Sequence, residues 1–279
     1  MLLLGCDFSS APSRRKHIVI AAGRPTAAGA VRLDRVHRFS SLDDWAGWLV
    51  AQPAWVGGFD LPFGLPRELV ETLHWPRGWP ELIAHYAGLE RADIRARFAA
   101  FCAARPVGSK FAHRATDGPA GSSPSMKWVN PPVAWMLHAG VPRLLAAGAH
   151  FPAHQRATAA RPARVALEAY PGLLARALIG RVSYKSDDAT RDDEARRRAR
   201  ERLLDALACV GSRPGPALVL APGLREPMLA ERSADTLDAA ICLVQAAWAL
   251  RHADTTPGPG YGLPAHIDPL EGWIVGAQP

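Results

Sequence analysis

Two short segments each carry an aspartate out of an apolar run. One is GCDFSS (5–10), which follows Met1–Leu4; the other is GGFDLPFGLP (57–66), which follows Trp55 and Val56. A carboxylate is costly to bury unless it is paired, protonated or bound to a cation, so Asp7 and Asp60 are candidates for chemistry. Glu168 closes a third apolar run, RVALE (164–168), and Asp235 and Asp238 stand in SADTLDAAICL. Their i, i+3 spacing makes Asp235 and Asp238 neighbours on one helical face near an N-terminus. Asp235 alone would suit the helix dipole, but Asp238 stands among Leu237, Ala239, Ala240 and Ile241. Carboxylates gathered in one place raise each other's pKa and need a cation to stay ionised. Magnesium or manganese meets that need with oxygen ligands alone. Two such ions about 3.5–4 Å apart activate a water and stabilise the leaving oxygen of a phosphodiester.

The elements that must position these acids follow from periodicity. Leu2–Phe8 and His17–Ala22 read as strands, and Ala30–Phe39 alternates as a third, more exposed one. Ser41, with Asp44 three residues on, starts a helix to about Gln52, and Trp55–Phe59 is a fourth strand delivering Asp60. Residues 66–160 break this rhythm with helical stretches near 67–74, 80–87, 91–104 and 131–149, and with a Gly/Ser/Pro-rich loop. They are expected to form an insertion, a lid within one domain spanning 1–279. Arg164–Glu168 returns to strand, Pro171–Ile179 and Asp192–Val210 to helix, and Ala217–Ala221 to a short strand or packed loop. Ser233–His252 is the last helix. The fold class is α/β, with a mixed five-stranded sheet flanked by helices.

Composition narrows the function classes. The chain has 279 residues, 48% hydrophobic and 21% charged, ordinary for a soluble protein. Its net charge of +7 is carried almost wholly by arginine, which suits a polyanionic partner as well as a biased coding background. The run RRRARER (196–202) alternates with acids and predicts a solvated helix face. Cys6, Cys102, Cys209 and Cys242 have no zinc spacing and fit reduced thiols in a cytoplasmic protein. No apolar stretch is long enough to span a membrane.

The order of elements resembles the ribonuclease H-like fold, and GCDFSS and ADTLDAAI resemble the first strand and last helix of its Holliday-junction resolvases. More specifically, the chain resembles the domain-of-unknown-function family numbered 429, whose members are predicted ribonuclease H-like nucleases. The motifs that carry this are GCDFS, FDLPFGLP, HRATD, MKWVNPPV, LEAYPG, SYK, DTLDAAIC and DPLEGWI. The resemblance implies Asp7, Asp60 and Asp238 as metal ligands, with Glu168 and Asp235 as additions. It implies a Mg2+- or Mn2+-dependent nuclease acting on DNA or RNA, with Asp7, Asp60, Asp238 and Glu168 catalytic. Glu168 departs from the superfamily pattern, as a further ligand or as the partner of Lys185. Arg114 and Asp117 in HRATD, Lys127 and Asn130 in MKWVN, and Lys185 in SYK are candidates to hold substrate, and Trp128 to stack a base. An internal Arg114–Asp117 ion pair and a core Trp128 are the alternatives at those positions.

Two other classes compete. The actin and sugar-kinase superfamily shares this core and its Gly-x-Asp first strand, but the further Gly-rich phosphate loops of such phosphotransferases are missing. A non-catalytic nucleic-acid-binding module would tie its carboxylates to arginines instead of gathering them on a hydrated pocket.

Overall fold

A computed structural model describes residues 1–156, 162–186, 188, 193–209, 215–254 and 258–279. Strands Leu2–Asp7 (β1), Ile18–Pro25 (β2) and Val31–Phe39 (β3) form an antiparallel meander. Helix Leu42–Ala51 (α1) follows, its N-terminus capped by Ser41, whose Oγ accepts the Asp44 N–H at 3.1 Å. Trp55–Asp60 (β4) then runs parallel to β1, and Arg164–Glu168 (β5) parallel to β4. Among the described residues the sheet has six strands, ordered β5-β4-β1-β2-β3-β6, where five were expected. The sixth, Leu218–Leu220 (β6), pairs in parallel with β3. Three residues are too few for a hydrophobic period to separate strand from packed loop.

Side chains alternate across the sheet. Leu4, Cys6 and Phe59 enter one core; Leu3, Val19 and Val56 enter the other. The first core is covered by α1 and by four helices from the segment between β4 and β5: Arg67–Thr72 (α2), Trp79–Ala87 (α3), Arg91–Ala103 (α4) and, beyond the short Asp117–Ala120 (α5), Val133–Ala146 (α6). Trp79, Tyr86, Phe98 and Leu137 of these helices pack in one cluster with Trp45 and Phe59, so the segment forms a layer on the sheet. Trp128 packs within it, with its ring centroid 5.7 Å from that of Phe111 and 6.3 Å from that of Phe98.

The second core holds Pro171–Ile179 (α7), Glu194–Ala208 (α8), Arg225–Ala230 (α9) and Asp235–Arg251 (α10). Asp192 and Val210, the ends expected for α8, lie outside the described residues. Its arginine run is not wholly a solvated face, because Arg200 is buried and donates Nε to the Leu229 carbonyl at 2.9 Å and Nη1 to that of Tyr184 at 3.1 Å.

Helix α10 is buried on almost every side and lies across β1, β2 and β4. Glycines make this possible. A Cβ on Gly5 would stand 2.0 Å from the Ala239 carbonyl oxygen, and one on Gly58 would stand 2.6 Å from that of Cys242. The helix backbone therefore rests directly on the sheet. No helix among the described residues is long and apolar enough to cross a membrane.

Candidate functional site

Gly5 pairs with Gly58 and Asp7 with Asp60 in the β1–β4 ladder. Period two puts all four on the face that α10 covers. The glycines admit the helix, and two residues further on the aspartates end their strands beside its first turns. There Asp238, buried at 1% exposure, completes the group. The helix starts without a side-chain cap from Ala234, but Glu231 accepts the Thr236 N–H at 2.7 Å, and Arg38 holds both Glu231 and the Thr236 hydroxyl.

The electrostatics are those of crowded acids. Burial pushes the Asp7 carboxyl well above its usual range, and the charges of Asp238, Asp60 and Asp235 push it further, against the pull of Lys185. Burial raises Asp60 to about 7, with Asp238 and Glu168 adding to the effect and Lys185 opposing it. Asp235, beside Glu231, is raised by burial and by that charge. Among the described residues, no hydrogen bond or ion pair reaches the side chain of Asp7 or Asp60. Asp238 is different: the Tyr184 hydroxyl donates to its Oδ1 at 2.6 Å, and the Lys185 ammonium pairs with its Oδ2. Arg200, through the Tyr184 carbonyl, fixes the segment that presents both groups.

A second node lies next to the first. Arg114 is buried and reaches Glu168 with both terminal nitrogens, at 2.6 and 2.7 Å, and Asp117 at 2.9 Å. Glu168 also accepts the Phe63 N–H at 3.0 Å. The partner of Glu168 is thus Arg114, and that of Lys185 is Asp238. Arg114 and Asp117 form the internal ion pair, so neither offers a free group to a phosphate. Glu271, from DPLEGWI, receives the Arg67 and Ala115 N–H groups at 2.8 Å each and ties the chain's last segment to this node. A cleft of about 330 Å³ connects the two nodes, lined by Asp60, Lys185, Arg114, Glu168 and Tyr170. Pro131 and Val133 are on its wall, whereas Lys127 and Asn130 are not.

The donor chemistry suits a hard divalent cation: oxygen-only ligands, raised pKa values and two carboxylates that no side chain among the described residues bonds. Asp7 and Asp60 are the residues open to it, while Asp238 is engaged by Lys185. Among the described residues, no group of three or more His, Cys, Asp or Glu side chains is arranged to hold an ion.

Sequence reasoning missed Tyr184 and Arg200. The burial of Arg200 left no signal in a run of arginines, while SYK preceded a helix at an unremarkable spacing. No curated protein and no solved structure matches the chain significantly. The family model described as "Protein of unknown function (DUF429)" matches residues 5–261, and the chain belongs to that family.

Proposed function

We propose that the protein is a divalent-metal-dependent phosphodiesterase acting on nucleic acid, built on a ribonuclease H-like core with one added strand. The order of three antiparallel strands, a helix and two strands parallel to the first supports that core. One observation carries the function: Asp7 and Asp60 are ladder partners at adjacent strand ends, raised in pKa and without a side-chain partner among the described residues, with Asp60 on the wall of an open cleft. Asp7 and Asp60 would hold magnesium or manganese, with Asp238 joining once Lys185 leaves it. The ion supplies charge that activates a water and stabilises a leaving oxygen. Tyr184 keeps Asp238 in one orientation through its 2.6 Å hydrogen bond. Lys185, with its side chain half exposed at the cleft wall, exchanges its carboxylate for a substrate phosphate oxygen. Glu168, paired with Arg114, holds β5 and the HRATD segment together.

Calorimetric titration with Mn2+, alongside oligonucleotide cleavage, tests this on the wild type and on Asp7→Asn. Saturable binding and cleavage that both disappear in the variant support the reading. No binding at millimolar Mn2+ overturns it.

A further inference from the structure

The carboxylate centre has a cleft on each side, and the two differ in chemistry. The second, of about 570 Å³, is lined by Arg15, Lys16, Arg232, Ser186, Ser233 and Asp235, with Glu231 beside them. Lys185 lines the first cleft, while Ser186, next in the chain, lines the second. Asp60 likewise lines the first and Asp235 the second, and both charges act on Asp7. Asp7 and Asp238 therefore lie between the clefts.

The cations of the second cleft are Arg15, Lys16 and Arg232, while its hydroxyls are already engaged, Ser186 donating to the Asp188 carbonyl at 3.0 Å and Ser233 bonding Asp235. Glu231 is taken by Arg38 at 2.7 Å and by the Thr236 N–H. The Arg15 and Arg232 side chains are exposed and engage no acceptor among the described residues. Such a group suits a run of phosphodiesters. The first cleft is different. Leu61, Pro131, Val133, Met136 and Ile274 give it apolar walls, Arg114 and Glu168 satisfy each other, and Tyr170 adds a ring whose centroid is 5.3 Å from the Arg176 guanidinium carbon. Its 330 Å³ is near the lower end of small-molecule sites, roughly 300–1,000 Å³. That is room for one nucleoside and not for a helical segment. A base reaches such a wall only when it is unstacked.

We propose that the substrate is a single polynucleotide strand laid across the carboxylate centre. Its backbone phosphates on one side are held by Arg15, Lys16 and Arg232, and the nucleoside on the other side sits against Tyr170. This rests on the reading of the carboxylates as a phosphodiester-cleaving centre.

The test is fluorescence anisotropy with a labelled twelve-nucleotide oligothymidylate, single-stranded and paired with oligoadenylate. Binding is measured in EDTA and again in calcium, over a salt series. The wild type should bind the single strand at least tenfold more tightly than the duplex. Arg15→Glu/Arg232→Glu, both at exposed positions, should weaken strand binding about tenfold or more and flatten the salt slope by about 1.4, at about 0.7 per lost phosphate contact. Tyr170→Ala should cost about tenfold with the salt slope kept. An unchanged affinity and slope in the arginine variant, equal binding of duplex, or no binding of either nucleic acid overturns the proposal. Failure of the cleavage reading is visible separately, as no Mn2+-dependent hydrolysis of bis(4-nitrophenyl) phosphate, which has no strand to lay in either cleft.

Discussion

Gly5→Ala is the sharpest perturbation of the arrangement that brings the acids together. Its Cβ would stand 2.0 Å from the Ala239 carbonyl oxygen and 2.1 Å from the Leu243 nitrogen, both helix backbone. Ordinary contact begins near 3.4 Å, so α10 and β1 must separate by about 1.4 Å. No rotamer change relieves a clash between two backbones. Overpacking by one methyl costs about 1–3 kcal/mol, and with no flexible neighbour the upper end applies. At about 2–4 °C per kcal/mol for a chain of this size, the melting temperature should fall by about 6–12 °C. Gly47→Ala is the control: it lies inside α1 with nothing within 4 Å of the added Cβ. There the better helix propensity of alanine should raise the melting temperature by about 2–4 °C. Scanning calorimetry of both variants decides. A Gly5→Ala protein melting within 2 °C of wild type would refute the claim that α10 rests on the sheet at this point. Where the variant is folded, the same separation draws Asp238 away from Asp7, so Mn2+ affinity should drop with stability.

The metal-free protein should lose stability as pH rises from 5 to 8. Asp60 binds its proton more tightly folded than unfolded, so its contribution is full below about 3.8 and is lost as pH passes through about 7. The displacement is worth at most about 4 kcal/mol; Asp60→Asn should flatten the melting-temperature profile and raise its pH 8 value. Glu168→Gln should act with the opposite sign, leaving Arg114 buried with one carboxylate fewer, at a cost of about 3 kcal/mol read by urea unfolding. Lys185→Met removes the ammonium from Asp238 and should tighten Mn2+ binding about tenfold by calorimetry; weaker binding would mean that the lysine does not compete for this site.

Much of the sheet could be read from the chain because its signals are local. LLLGCD and HIVIAA are continuous apolar runs, and VRLDRVHRF alternates with period two. Ser41 and Asp44 announce α1 by side-chain chemistry that the structure reproduces. The aspartates of the site could be found because each ends such a run. What the sequence could not give was partnership. Arg114 and Glu168 are 54 positions apart, as are Tyr184 and Asp238. Nothing local distinguishes an arginine that neutralises a buried acid from one that meets a phosphate. The same limit hid Arg200, which stands in α8 beside the exposed arginines Arg198 and Arg202.

That partnership is also what separates the two kinds of acid at this edge of the sheet. Glu168 pairs with Phe59 in the β4–β5 ladder, one residue before Asp60. Both carboxylates are raised by burial, so both carry a desolvation cost. The fold meets that cost at Glu168 with Arg114 and a backbone N–H. A chain with 33 lysines and arginines has the means to do likewise at Asp7 and Asp60, yet among the described residues no cation bonds to either. A cation there would counter the mutual repulsion that raises both carboxyls. Under the proposed function, strain left unrelieved at these two acids marks the place of a group the chain does not itself supply. On that reading, oxygen-only donors, mutual repulsion and a neighbouring cleft suit a hard cation and the anion it helps to bind.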